Sequence, residues 1–95
     1  MMTEAKDVLE RRAILEFPCR FPIKIMGRDR PLFHEIARAI VTRHAGHIHD
    51  DAIRQAASRK GNFISITITI EAISQQQLDS IYRELSAHDE VLVAL

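Results

Sequence analysis

The stretch from Ser58 to Glu71, S-R-K-G-N-F-I-S-I-T-I-T-I-E, constrains the fold more than any other part of the chain. Ile64, Ile66, Ile68 and Ile70 alternate with Ser65, Thr67 and Thr69, the period-two pattern of a strand with one buried face. Nearly every residue in it is β-branched, which stiffens χ1 and favours a pleated surface over a helix. Burying the isoleucines contributes about 1.5–3 kcal/mol each, and no other segment offers as much. Just ahead, Arg59-Lys60-Gly61-Asn62 has turn chemistry, because Gly and Asn tolerate the positive φ of a tight hairpin. Ser58–Asn62 is therefore predicted as a hairpin tip and Phe63–Ala72 as a central strand. The tip needs an antiparallel partner before it, so Asp50–Ala57 is predicted as a short edge strand. Its alanines and arginine would suit a helix equally.

The remaining elements follow from periodicity and punctuation. Residues 1–16 form a charged lead-in, partly helical or disordered, that Phe17-Pro18 ends, since proline holds the preceding residue extended. A single domain is expected over 17–95. A first strand is predicted from about Arg20 to Met26, with Phe21, Ile23 and Ile25 inward and Pro22, Lys24 and Met26 outward. Asp29 or Arg30 would cap a helix that has Pro31 in its first turn, where a missing N–H costs nothing. Phe33, Ile36, Ala37, Ile40 and Val41 then recur at helical spacing, and Gly46 is the candidate stop. A second helix is announced by Ser74 with Gln77, a capping box, and by Ile73 with Leu78, a hydrophobic staple. A last strand is expected over Val91–Leu95. The order β-α-β-β-α-β is the split-βαβ arrangement: a ferredoxin-like α+β fold of four antiparallel strands with two helices on one face. The other face would show Lys24, Met26, Phe63, Ser65, Thr67 and Thr69.

Composition bounds the function. Thirteen basic residues balance thirteen acidic ones, which argues against nucleic acid as the obligatory partner, because phosphate neutralisation leaves a basic surplus. A near-neutral surface does little to oppose self-association, so a homodimer is among the expected assemblies. The one cysteine, Cys19, has no internal disulfide partner and fits a reducing compartment. With no signal peptide and no apolar run of membrane-spanning length, a cytoplasmic location is expected.

Few residues suggest chemistry. His44, His47 and His49, with Asp50 and Asp51, form the only cluster resembling a metal site; the bland reading is a histidine in the last helical turn followed by a polar loop. Cys19 lies beside Arg20, but no sequence neighbour offers a base. Paired carboxylates, a nucleophile elbow and a phosphate-binding glycine loop are all missing. No enzyme and no cofactor are expected. Lys60-Gly61-Asn62-Phe63-Ile64 brushes against an RNA-recognition signature, yet the positions that should be aromatic hold Asn62 and Ile64. A nucleic-acid module using Arg54, Arg59, Lys60 and Phe63 is the alternative reading. The preferred one is a binding module that takes a partner protein or small metabolite through Lys24, Met26, Arg28, Asp29, Phe63, Ser65 and Thr67.

Two resemblances bear on these readings. Gly27-Arg28-Asp29-Arg30-Pro31-Leu32 resembles the D-R-P-G turn of ACT domains, regulatory βαββαβ modules that bind amino acids at subunit interfaces. Asp29, Arg30 and Pro31 match, and Leu32 stands where the glycine would be. Leu15-Glu16-Phe17-Pro18, Lys24-Ile25-Met26-Gly27, Arg43-His44-Ala45, Ser58–Phe63 and Ser65–Ile70 together resemble the YbeD family of small bacterial proteins of unassigned function. That likeness spans roughly Ile14 to Leu95, and departs from the family at Cys19, Arg20, Ile64 and in the longer lead-in. It implies an ACT-like ferredoxin fold, no known catalysis, a regulatory role and, from neighbouring genes, an association with lipoate metabolism.

Overall fold

A computed structural model describes residues 15–95, so most of the lead-in expected over 1–16 lies outside the described residues. The elements are β1 (Cys19–Arg28), α1 (Pro31–Ala45), a 3-10 turn (Asp50–Ala52), β2 (Ile53–Ala57), β3 (Phe63–Ala72), α2 (Gln75–Ala87) and β4 (Val93–Ala94). The strands form one antiparallel sheet in the order β2-β3-β1-β4. This is the predicted ferredoxin-like fold, with the isoleucine strand in the middle of the sheet.

The β3 side chains divide as their alternation predicts. Ile64, Ile66, Ile68 and Ile70 are 0–6% exposed, and Ser65, Thr67 and Thr69 are only half-buried on the other face. Ile23 and Ile25 of β1 join the isoleucines, and Phe33, Ala37, Ile40 and Val41 of α1 with Leu78, Ile81 and Leu85 of α2 complete the core. Phe21 is half-buried and meets the Tyr82 ring edge-on at 6.5 Å between centroids. At the hairpin tip Gly61 has φ +75°, and its N–H donates to the Ser58 carbonyl. The Ser58 hydroxyl accepts from the Phe63 N–H at 3.1 Å, which closes the turn onto β3.

Three boundaries and one contact differ from expectation. β1 runs from Cys19 to Arg28 because β3 pairs with it along its whole length. The segment before the hairpin starts as a 3-10 turn at Asp50 and becomes strand at Ile53. The last strand shrinks to Val93–Ala94, since Val91 is buried and the chain is still turning at Leu92; ladder bonds continue to Leu95, whose N–H and carbonyl pair with Lys24. The Ile73–Leu78 staple does not hold, because Leu78 is buried while Ile73 is 64% exposed.

The capping predictions fare better. Ser74 Oγ accepts from the Gln77 N–H at 3.0 Å. Gln77 Oε1 reaches back one residue beyond the cap, accepting from the Ile73 N–H at 2.8 Å. Arg30 takes the cap position of α1 with Pro31 behind it, and Gly46 ends that helix by donating to the Thr42 carbonyl.

Candidate functional site

The helices roof one face of the sheet, and the register lays out the other. Across the four strands one row reads Ala56, Ser65, Met26, Val93, and the next reads Arg54, Thr67, Lys24. Leu95 stands beside Lys24 through its paired backbone bonds. Towards one end Phe63 lies opposite Arg28; towards the other Thr69 faces Pro22 and Glu71 faces Arg20. Phe63 is 41%, Val93 42% and Leu95 64% exposed, with Met26 half-buried among them. Large apolar side chains held at a rigid, unroofed surface are the usual sign of a contact area. The Arg28 guanidinium lies over the Phe63 ring, 5.5 Å from its centroid, a cation–π arrangement between two exposed side chains.

Six of the residues predicted for binding therefore share this face: Lys24, Met26, Arg28, Phe63, Ser65 and Thr67. The seventh, Asp29, does not. It belongs to the β1–α1 turn, where its Oδ1 accepts from His34 Nε2 at 3.0 Å. Next to it, Arg30 makes a bidentate pair with Glu90, Nε and Nη2 each 3.0 Å from a carboxylate oxygen. The Asp29 N–H donates to the Asn62 carbonyl, so this turn is tied to the hairpin tip. Both charged groups of the ACT-like turn are thus engaged inside the domain, and Leu32 stands 52% exposed beside them.

The other candidates separate in space. Arg54 points with the open face, and Arg59 and Lys60 sit on the exposed hairpin tip. His44 Nε2 pairs with Glu84 Oε1 at 2.8 Å, and Arg43 pairs with the same carboxylate. His47 and His49 instead meet each other edge-on, centroids 4.9 Å apart. The three imidazoles do not converge, and among the described residues no group of three His, Cys, Asp or Glu is placed to hold a metal ion. Cys19 is half-buried against the core.

The comparisons with known proteins give the family. A family model described as a protein of unknown function (DUF493) matches residues 12–95. The chain belongs to the DUF493 family. A UPF0250 protein of Leptothrix cholodnii is 39% identical over 90 residues, covering 95% of this chain and 99% of that one. A UPF0250 protein of Paraburkholderia phytofirmans is 40% identical over 83 residues, 87% and 93% of the two chains. One from Nitrosomonas europaea is 38% identical over 87 residues, 92% and 100%. The resemblance to the YbeD family agrees with this membership. Among the described residues, no helix of the DUF493 chain is long and apolar enough to cross a membrane.

Sequence reasoning missed Arg20, Val93 and Leu95 on this face of the DUF493 domain, and Glu90 as the partner of Arg30. All three were legible from alternation within the predicted strands, Arg20 in phase with Lys24 and Met26, and Val93 in phase with Leu95. Glu90 was not, because an ion pair between residues sixty positions apart leaves no local signal.

Proposed function

We propose that the chain is a small non-catalytic binding module of ACT-like type, which acts through the open face of its sheet on a partner protein or small metabolite. The observation that carries this reading is the exposed Phe63, Val93 and Leu95 with the half-buried Met26 among them, set among the polar groups of Lys24, Ser65 and Thr67 on the unroofed face of the sheet. The half-buried position of Cys19 against the core and the engagement of Asp29 by His34 and of Arg30 by Glu90 favour binding over catalysis. A regulatory role and an association with lipoate metabolism are what the family resemblance adds.

The test is affinity capture from cell extract, with whatever protein or metabolite is retained then identified. Met26→Asp and Phe63→Asp, each placing a charge on the face without touching the core, should lose the retained species or lower self-association in sedimentation. Capture and sedimentation unchanged in both variants would remove the reading.

A further inference from the structure

The whole chain is electrically balanced, and the open face is not. Its charged residues are Arg20, Lys24, Arg28 and Arg54 against a single acid, Glu71. Arg59 and Lys60 extend the same charge onto the hairpin tip. The ion pairs among the described residues lie elsewhere: Arg30–Glu90, His34–Asp29, Arg38–Asp50, and Arg43 and His44 with Glu84. Arg20 stands opposite Glu71 in the register, and Lys24, Arg28 and Arg54 have no ion pair among the described residues.

The cations are also spaced. The outward residues of β1 are Arg20, Pro22, Lys24, Met26 and Arg28, cationic and apolar by turns. Outward positions on a strand recur about every 6.6–6.8 Å. Each cation therefore stands about 13 Å from the next, with an apolar side chain midway. An extended polypeptide places same-side residues at that same repeat. Alternate carboxylates and aliphatic side chains on such a segment would match the face residue for residue.

We propose that the open face binds an acidic, extended segment of a partner protein, its carboxylates meeting Lys24 and Arg28 and an aliphatic side chain resting on Met26 between them. This rests on the reading of the face as the binding surface and names its occupant. A second copy docked face to face would set these cations against their own kind, which opposes association. Single-stranded nucleic acid would need a row of stacking rings. Among the described residues this face has only Phe63, with Arg28 over its ring.

The probe is a fluorescein-labelled peptide of Asp-Ser-Leu-Ser repeats, followed by anisotropy with the full chain at low salt. A peptide of the same composition with its aspartates gathered at one end, and an oligothymidylate, run beside it. The repeat peptide should bind best. The double variant Lys24→Glu/Arg28→Glu should weaken it by about tenfold or more, and Arg83→Glu, exposed on α2, by less than about twofold. Circular dichroism melts verify folding, and Lys24→Gln/Arg28→Gln replaces the reversal if that variant does not fold. No binding, equal loss in the α2 control, equal binding of the gathered peptide or tighter binding of the oligothymidylate each overturns the proposal. So does a wild-type dimer that the face variants dissociate, which would give the face to a second copy. If Met26→Asp and Phe63→Asp abolish capture while the acidic peptide fails to bind, the binding face stands and its acidic occupant falls.

Discussion

Gly27 shows how much a single hydrogen in place of a methyl can decide. A Cβ there would lie 2.5 Å from Phe33 Cε1 and 2.7 Å from the Glu90 carbonyl oxygen. One of those neighbours is a fully buried ring and the other is backbone, so neither can swing aside. Gly27→Ala should therefore destabilise the domain by about 1–3 kcal/mol, the usual cost of overpacking, seen as a lower urea midpoint. A loss below a few tenths would show that the 88–91 segment yields. Gly61 is constrained for a different reason: nothing crowds its Cβ position, but its φ of +75° is strained for any L side chain. Gly61→Ala should cost about 1–2 kcal/mol without changing what the core excludes.

At the scale of the element, β3 and α2 differ in what holds them. The strand is held by burial on one side, so its two faces should respond very differently. Ile68→Ala, at a fully buried position in the central strand, should cost about 2–5 kcal/mol. Thr67→Ala, its neighbour on the open face, should cost less than about 1 kcal/mol. Matched chemical denaturation of the pair tests which face is roofed, and equal losses would contradict the one-sided sheet. The helix depends more on its start. Ser74→Ala removes the oxygen that accepts from the Gln77 N–H, and should cost about 1 kcal/mol. Gln77 also donates from Nε2 to the His44 carbonyl at 3.1 Å, so its side chain joins the start of α2 to the end of α1.

For the whole molecule, the two helices share one carboxylate. Glu84 on α2 receives both Arg43 and His44 of α1, all three at least a quarter exposed. Pairs this wet are worth little: Glu84→Gln should cost about 0.5–1 kcal/mol at low salt, and the difference from wild type should shrink as salt screens the pairs. A salt-independent loss would point to packing. The distribution of charge matters more than its sum. Among the described residues the open face carries Arg20, Lys24, Arg28 and Arg54 against Glu71 alone, a surplus that the total of zero conceals.

The chain's own pattern was enough to determine the element order, the inward row of isoleucines and the hairpin at Gly61. Periodicity and turn chemistry are local, and each reports directly on which side of an element meets solvent. The identity of most of the open face was legible too, because alternation along β1 and β3 puts Lys24, Met26, Ser65 and Thr67 opposite the core. Only the tertiary structure decided how far each strand extends, since that depends on pairing with a distant partner. It also decided the fate of the charged turn. Arg30 finds Glu90, Asp29 finds His34, and His44 goes to Glu84 while His47 and His49 meet each other, because contacts across the fold are set by where the helices and loops come to rest.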